Sequence, residues 1–440
     1  MRVAFFEDFV FEDPAVDVHQ AAGLGPIALT RPVFELVCGR FTLRERILRC
    51  GNVTEWGAFI RPQLAEMYRE QHPQTRVNDL AWLHEAPTLL INGRWLPSAE
   101  SLEHMTGDEA NVVGQTVVSL LLDPLEAPLL TEQGWNDSLA QMARTRQVCR
   151  GDGPLVQHPW DLVNHNPRQL CEDFRFAEPS GHQVTLPAHV ALLGSPEHLS
   201  VDPSAEIEPF VVLDVREGPI SIDAGAVVGA YTHIKGPAHV GESTQLFRAD
   251  VKGGTTIGPV CRIGGEIETS ILHGHANKYH LGFLGHSYVC PWVNMGALTT
   301  NSDLKNDYSS VSVPLAGNSV ATGHPKVGCF IGDHTKTAIG SLINTGSSIG
   351  VLCMVLPGGE LLPKHIPSFS KVWHGCVSDE FNFEQALGIV RASMGRRDCE
   401  LTAAHENLLR VLYQQTTAER TSAVNRSRAK SQPGSFTPRG

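Results

Sequence analysis

The sequence predicts an α/β domain over residues 1–175, a left-handed parallel β-helix over residues 176–375, and a helical extension with a disordered tail over residues 376–440. Apolar residues recur every six positions through much of the second region, which is typical of a β-helix. Aromatic residues make up only 7% of the chain while Gly counts 41, as expected for regular strands joined by tight corners. In the first region, short apolar runs alternate with helical stretches, which indicates an α/β layer fold.

The six-residue period is the strongest of these signals. Three flat strands of about six residues make one triangular coil, in which one aliphatic side chain per side points inward. An amphipathic helix would instead favour spacings of three and four, and a lone strand a spacing of two. A small residue often follows the inward position, which lets the backbone turn the corner. The repeat occupies Ile222, Val228, Ile234, Val240 and Leu246, then Val251, Ile257 and Ile263, then Ile331, Thr337, Ile343, Ile349 and Val355.

Five secondary-structure elements are predicted in the α/β region. Residues 3–6 and 88–91 predict buried strands, residues 42–49 and 137–148 predict helices, and residues 159–174 predict a helix that closes the domain.

The later regions are interrupted or extended at three places. Residues 308–326 predict a projecting loop or hairpin where the repeat stops. Residues 384–390 and 402–414 predict helices, and residues 422–440 predict disorder.

Charge and cysteine usage narrow the class of protein. The net charge is −12 without a basic stripe, so we expect no nucleic-acid partner. Ten scattered cysteines without a CxxC pair favour reduced thiols in a cytoplasmic protein. We expect no signal peptide in the first nine residues, because Glu7 and Asp8 follow a short apolar run, and we expect no membrane span, because no run of about 18 apolar residues occurs.

Motifs in the first region resemble a known family. They are Leu29-Thr30-Arg31-Pro32-Val33-Phe34-Glu35-Leu36, Thr42-Leu43-Arg44-Glu45-Arg46, Ile91-Asn92-Gly93-Arg94 and Pro159-Trp160-Asp161. Together they resemble the sugar nucleotidyltransferase-like domain of a divergent bacterial family. That family is similar to the bifunctional UDP-N-acetylglucosamine pyrophosphorylase/glucosamine-1-phosphate N-acetyltransferase. The Gly-rich run Ala21-Ala22-Gly23-Leu24-Gly25 matches the family's nucleotide loop only in part and is also compatible with a surface loop.

The resemblance places phosphate or nucleotide contacts at Arg31, Asn92 and Arg94. The family ends its central strand with an Asp that holds Mg²⁺, and Asn92 stands at the comparable position here. Arg94 can bind phosphate but cannot ligate Mg²⁺, so this ion is expected only if the domain is active. Structural ion pairs are the alternative role for both arginines.

The repeat breaks over residues 265–306, called the break segment below, where His, Lys, Asn and Asp cluster. Polar residues concentrated on a solenoid favour a site. His280-Leu281-Gly282-Phe283-Leu284-Gly285 and Val293-Asn294-Met295-Gly296-Ala297 match two motifs of the family's acetyltransferase domain with the same spacing. The resemblance implies that His280 is the general base and that Asn294 binds the sugar. An imidazole suits the removal of a proton from an attacking amine.

Two residues depart from the family pattern. Phe283 stands where the family commonly has Tyr, and Glu268 stands where it has a Lys. These two departures concern the acceptor, which need not be glucosamine 1-phosphate, rather than the acyl transfer. Lys278, Asp303 and Lys305 are the other expected substrate contacts. Backbone and side-chain contacts to acetyl-CoA are expected at Gly296, Ala297, Gly332, Asp333, Gly350 and Val351.

These observations predict an acetyl-CoA-dependent acyltransferase that acts on an amino sugar phosphate or a nucleotide amino sugar, with nucleotidyl transfer as an added activity of the first domain. The resemblance implies a homotrimer. A zinc-dependent hydratase resembling γ-class carbonic anhydrases is an alternative, because His239, His275 and His280 could supply three imidazoles. A scaffold without catalysis is the other.

Overall fold

The computed structural model describes residues 1–7, 21–51, 53–98, 101, 109–130, 135–177 and 186–431. Its N-terminal domain is built on a seven-stranded sheet. The first four strands across the sheet run parallel, and the fifth is antiparallel to both of its neighbours. In spatial order the strands are Arg76–Val77, Glu55–Phe59, Arg2–Phe6, Thr88–Asn92, Thr116–Leu122, Glu109–Val113 and Gln147–Arg150.

Helices flank this sheet, and two of the three predicted ones are confirmed. The exception is the predicted helix over residues 137–148, which ends at Ala143. The chain then forms the strand Gln147–Arg150, because its backbone pairs with Glu109–Val113 at the sheet edge. The α-helices are Leu43–Cys50, Ala65–Gln71, Leu80–Leu83, Trp135–Ala143 and Pro159–Ala177. Short 3₁₀ turns cover Ala21–Leu24, Val33–Glu35, Pro62–Leu64, Ala127–Leu129 and Pro196–His198, and a small hairpin joins Val37–Cys38 to Phe41–Thr42.

The predicted parallel β-helix is confirmed. Successive strands visit three sides in turn, and each pairs in parallel with the strand one coil earlier. Side 1 contains Leu199–Val201, Ile220–Ile222, Ala238–Val240, Thr255–Ile257, Ile271–Leu272, Tyr288–Val289, Cys329–Ile331, Ser347–Ile349 and His365–Ile366. Side 2 contains Glu206–Ile207, Val227–Val228, Asn277–Lys278, Asn294–Met295, Lys336–Thr337, Met354–Leu356 and Lys371–Trp373, the last of which pairs with Cys376–Ser378. Side 3 contains Ala191–Leu193, Val212–Asp214, His233–Lys235, Phe283–Gly285, Thr300–Asn301 and Leu342–Ile343, while Gln245–Val251 and Arg262–Glu268 run across sides 2 and 3.

The interior of the β-helix is filled by the side chains that the six-residue period marks. Every aliphatic residue of the repeat has at most 1% of its surface exposed, and Thr337 has 4%. Because one such side chain enters from each side of each coil, the stacked coils form one continuous apolar core.

The predicted loop or hairpin over residues 308–326 is a hairpin of Ser312–Leu315 and Asn318–Ala321. Its first strand packs against the rest of the molecule, whereas its turn and its second strand, Asn318–Ala321, are mostly exposed. Val313 and Leu315 are buried against Ile27 of the N-terminal domain.

The N-terminal domain docks on side 1 of the β-helix. In the helix Pro159–Ala177, the Asn166 side-chain amide donates to the Gly254 carbonyl at 2.8 Å and to Thr256 Oγ1 at 3.0 Å. Its carbonyl oxygen accepts the Gly39 N–H at 2.6 Å. One buried amide therefore joins both domains. Side 3 takes no part in these contacts.

The C-terminal segment is helical for longer than predicted. The helices Phe383–Gly395 and Ala403–Gln415 confirm the two predicted ones, and Thr402 at the start of the second bonds Glu70 of the N-terminal domain at 2.6 Å. The predicted disorder from residue 422 is wrong up to Ser431, because a third helix spans Thr417–Ser431 and buries Ala423 and Val424. Residues 432–440 lie outside the described part. None of the described helices is both long and apolar enough to cross a membrane.

Shortening one interior side chain tests the role of the repeat. We expect Ile234→Ala to lower the free energy of unfolding by about 2–5 kcal/mol, because it leaves a cavity in a fully buried row. Chemical denaturation followed by circular dichroism measures the change. The matched control is Ile339→Ala on the same solenoid, where Ile339 is 73% exposed and the change should be small. Equal effects of the two substitutions would contradict the assignment of the core.

Candidate functional site

The coils continue through the break segment, and its polar side chains are distributed over all three sides of the solenoid. One group lies on and next to side 3, which the described residues of the N-terminal domain do not cover. The strand Phe283–Gly285 lies at its centre, with His280 before it and His286 after it. The His280 imidazole is exposed at the corner between sides 2 and 3. Its one described contact is an edge-on approach to the Tyr279 ring at 4.9 Å. The predicted base is therefore accessible, but no described group fixes its orientation.

His286 occupies the next corner, between sides 3 and 1, and it has a partner. Its Nδ1 lies 2.7 Å from Oδ2 of Asp303, one coil further on, and both side chains are largely buried. Burial alone would raise the pKa of Asp303, but the hydrogen bond and charge of His286 hold it below the ordinary carboxyl value. Asp303 is therefore an anion that accepts from the imidazole, as in catalytic dyads.

The same corner holds an ion pair in the coil before His286. Lys326 Nζ lies 2.9 Å from Oε1 of Glu268, and the ligand atoms of Glu268, His286 and Asp303 lie within 4.8 Å of one another. Glu268, which stands where the family has a Lys, is thus paired with the ammonium of Lys326. The predicted loss of positive charge at this position is offset by Lys326.

Gly285 forms the floor between these groups. A Cβ built at Gly285 would lie 2.3 Å from the Phe283 ring and 2.6 Å from Asp303 Oδ2. A side chain here would therefore collide with both neighbours. The absence of a side chain at Gly285 thus lets the Phe283 ring and the Asp303 carboxylate lie directly over its backbone.

Two of the predicted substrate contacts are engaged elsewhere. Lys278 points into the coil, is 2% exposed, and donates through Nζ to the carbonyls of Gly264 at 2.8 Å and His280 at 3.1 Å. Burial lowers the pKa of its ammonium to about 8. Lys305 closes its own loop by donating to the Ser310 carbonyl at 2.6 Å. In these positions the first lysine supports the corner that carries His280, and the second shapes the turn after Asp303.

Asn294 lies on side 2, where its Oδ1 accepts from the Asn277 amide at 2.6 Å. Gly296, two residues on, was expected to offer its N–H to acetyl-CoA, but that N–H donates to the Thr337 carbonyl at 3.0 Å. The Ala297 carbonyl accepts the Gly340 N–H at 2.8 Å. These backbone groups belong to the ladder between coils.

The remaining acetyl-CoA predictions fall at the corner that faces the N-terminal domain. Asp333 bonds Thr30 Oγ1 at 2.8 Å and forms a short ion pair with Arg31. Although burial opposes it, the Arg31 charge holds the pKa of Asp333 below its ordinary value. The two residues, predicted as separate ligand contacts in two domains, therefore neutralise each other at the domain interface.

The glycines at this corner allow neighbouring coils to stack closely. A Cβ on Gly332 would lie 2.8 Å from the Gly350 backbone carbonyl carbon, and one on Gly350 would lie 2.2 Å from the Ser368 backbone nitrogen. Val351 is fully buried, and its N–H donates to Ser368 Oγ at 3.0 Å.

The ends of the central strands in the N-terminal domain are already saturated. Glu7 follows the first strand and is fully buried, with both carboxylate oxygens bonded to Arg61. Asn92 ends its strand with Oδ1 accepting the Arg94 N–H at 2.9 Å, and the Arg94 guanidinium donates to the Val156 carbonyl. Because Glu7 is paired and Asn92 is neutral, these described residues do not fit a Mg²⁺ ion. Residues 8–20, which include Asp8, lie outside the described part.

The three histidines of the zinc alternative are not brought together. His239 and His275 line a groove between the domains, while His280 lies on the opposite side of the solenoid. His239 is held by Ser221 Oγ at 2.8 Å, and burial together with Arg40 lowers its pKa to about 3. Within one chain these imidazoles form no common ligand set.

Sequence reasoning missed His286 and Lys326 as members of the cluster. His286 directly follows the His280 motif, so its position was visible. Its pairing with Asp303, and that of Lys326 with Glu268, depend on how the coils stack across the hairpin insertion. The residues of each pair are too far apart in the sequence for a short motif to indicate that they are in contact.

Fold and site together define a two-domain protein with a mixed α/β sheet and a parallel β-helix whose polar cluster lies on its uncovered side. Residues 10–180 match the family described as Sugar nucleotidyl transferase. The bifunctional sugar-1-phosphate nucleotidylyltransferase/acetyltransferase of Sulfurisphaera tokodaii is 33% identical over 93 residues, which is 21% of this chain and 23% of that protein. The predicted resemblance is thus confirmed, and the chain is a divergent relative of these bifunctional proteins.

Other relatives carry a related name. The bifunctional protein GlmU of Synechococcus elongatus is 25% identical over 230 residues, or 47% of this chain and 46% of that protein. The GlmU of Acidovorax sp. is 35% identical over 119 residues, or 24% of this chain and 25% of that protein. The chain spans less than half of the length of each of these relatives. A solved UDP-N-acetylglucosamine acyltransferase from Campylobacter jejuni is 14% identical and covers 51% of this chain and 95% of its own, with a TM-score of 0.15.

The Arg31–Asp333 pair can be tested as an interdomain contact. We expect Asp333→Asn to destabilise the protein by about 3–5 kcal/mol, because it leaves the buried Arg31 charge unpaired. Thermal unfolding followed by calorimetry measures this change. Asp379→Asn is the control, since Asp379 pairs with Arg428 at the surface, where both side chains are 63% exposed. Unchanged stability of Asp333→Asn would mean that the pair does not hold the domains.

Proposed function

We propose that the chain is a transferase that moves an acetyl group from acetyl-CoA to the amine of an amino sugar phosphate or a nucleotide amino sugar. The observation that carries the proposal is the polar cluster near Gly285, where the His286 imidazole, the Asp303 and Glu268 carboxylates and the Lys326 ammonium lie together beside the segment that matches the acetyltransferase motifs. The relative named as a bifunctional sugar-1-phosphate nucleotidylyltransferase/acetyltransferase supports the same class of reaction.

The reaction needs a proton acceptor and a polar binding surface. The amine attacks the thioester carbonyl carbon, a C–N bond forms, and the C–S bond breaks. An imidazole takes the proton from nitrogen and passes it to the departing thiolate, so the base is regenerated. His280 and Asn294 enter the proposal from the resemblance, as residues of the base and sugar subsites. Acetyl-CoA is proposed to contact the outer surface of the coils, because Gly332 and Gly350 pack against the backbone of the neighbouring coil.

Nucleotidyl transfer to a sugar 1-phosphate is the second candidate, favoured by the family match over residues 10–180. The Mg²⁺ that such a reaction uses does not fit the described residues Glu7 and Asn92, because Glu7 is paired with Arg61 and Asn92 is neutral. A homotrimer, which the resemblance implies, and a cytoplasmic location, which the ten scattered cysteines favour, are also part of the proposal.

A donor and acceptor screen tests the proposal. We expect release of free CoA thiol when the purified protein meets acetyl-CoA and an amino sugar phosphate, measured with a thiol reagent and by mass spectrometry of the N-acetyl product. His280→Ala should lower the rate at least about tenfold, because the exposed imidazole lies within the site. His374→Ala, at a late corner of the same solenoid, is the control. Unchanged acetylation in His280→Ala would remove His280 from the site.

A further inference from the structure

We infer that the groove between the domains binds a phosphorylated ligand, either a nucleotide or a sugar phosphate, through histidines at the corner between sides 1 and 2. The groove has a volume of about 550 Å³, which lies within the range of small-molecule sites. Its corner is at the other end of side 2 from His280, so the site is separate from the proposed acceptor site. The inference goes beyond the proposed function and does not depend on it.

Four flat rings form a row along this corner. His275, Trp292 and His334 occupy the same position in successive coils, each with a left-handed backbone conformation (φ of 51°, 64° and 62°). The ring centroids are 4.3 Å apart between His275 and Trp292 and 6.1 Å apart between Trp292 and His334. His405 of the helix Ala403–Gln415 continues the row at 5.4 Å from His334. His275, Trp292 and His405 line the groove directly.

The imidazoles of the row have unused hydrogen-bonding capacity. His334 is fully buried, and neither of its ring nitrogens has a hydrogen-bond partner among the described residues. Leaving such a group unpaired in the interior costs free energy, so native structures usually supply a partner. For His275 and His405, too, the described contacts of the rings are only with other rings. A polar ligand between Trp292 and His405 would supply donors and acceptors to all three imidazoles.

The charged groups around the row favour an anion. The cations are Arg31, Lys336 and Arg397, and the carboxylates are Asp333 and Glu70. Both carboxylates already accept hydrogen bonds from protein side chains, whereas no ion pair is described for Arg397. Burial lowers the pKa of the Lys336 ammonium to about 8, so this group is still mostly protonated at neutral pH. A phosphate group, which an arginine can bind through two hydrogen bonds, matches this excess of positive charge.

Binding of an anion here is coupled to proton uptake. Burial is the largest cause that lowers the pKa of the His275, His334 and His405 imidazoles, and nearby arginines lower it further. The three rings are therefore neutral at pH 7 in the free protein. A phosphate charge beside them favours the imidazolium and raises its pKa. Because the complex then holds more protons than the free protein, the affinity for the ligand increases as the pH falls below neutrality.

Calorimetric titration of the full chain with UDP-glucose tests the site. This probe has no amine that could accept an acetyl group, and its diphosphate keeps its charge over the pH range used, whereas a phosphate monoester titrates near about pH 6. We expect binding at least about threefold tighter at about pH 5.5 than at about pH 7.5. Buffers of different ionisation enthalpy measure the protons taken up.

Two further probes identify the source of the phosphate. Binding of UMP but not of glucose 1-phosphate assigns the site to nucleotides, and the reverse result assigns it to sugar phosphates.

Substitutions place the ligand in the groove. His405→Gln keeps an amide donor and acceptor but cannot be protonated, so we expect at least about threefold weaker binding at about pH 5.5, less proton uptake and little change at about pH 7.5. Arg397→Gln, at a partly exposed position, should weaken binding at both pH values. The matched control is His198→Gln, because His198 is exposed on the same solenoid outside the groove, and it should bind like the wild type. Thermal unfolding of each variant shows whether it folds like the wild type.

Two results would overturn the inference. One is that the wild type binds none of the three probes at either pH. The other is that His405→Gln and Arg397→Gln bind them as the wild type does at both pH values, because the ligand then lies elsewhere in the chain. Both readouts are independent of acetyl transfer, so a failure to acetylate amino sugars would count against the proposed function alone.

Discussion

The structure depends on the parallel pairing of each coil with the coils before and after it. Backbone N–H and C=O groups are consumed by this ladder, and one apolar side chain per side fills the interior. Chemistry is therefore restricted to outward side chains and corners. This explains why the N–H of Gly296 and the glycines 332 and 350, which look available in the sequence, are engaged in stacking.

The two domains divide the surface of the solenoid between them. Side 1 is covered through polar contacts that are buried on both partners, with Asn166 bridging Gly39 to Thr256 and Asp333 neutralising Arg31. A buried ion pair contributes specificity of docking more than net stability, because desolvation offsets much of its attraction. Among the described residues, the contacts between the domains do not involve side 3, which carries the strand Phe283–Gly285 of the break segment. The placement of the N-terminal domain thus leaves this strand uncovered.

Much of the fold could be predicted, because a β-helix requires an inward-pointing apolar residue at every sixth position. Ile234 and Ile349 lie in the interior as their spacing requires. The site was predictable as a segment, since the polar residues gather where the period stops. Partners within the site were not, because Asp303 reaches His286 across coils and Lys326 reaches Glu268 across an inserted hairpin. The burial of Lys278 could not be predicted either. An inward position of the coil can hold a lysine when two backbone carbonyls accept from its ammonium.

The account holds that acyl transfer takes place beside the exposed His280 imidazole of the break segment. A crystal structure of the protein with CoA and an amino sugar phosphate tests this claim most directly. The account predicts the acceptor nitrogen within hydrogen-bonding reach of the His280 imidazole. An acceptor bound in the groove between the domains, with the His280 imidazole facing only solvent, would contradict it.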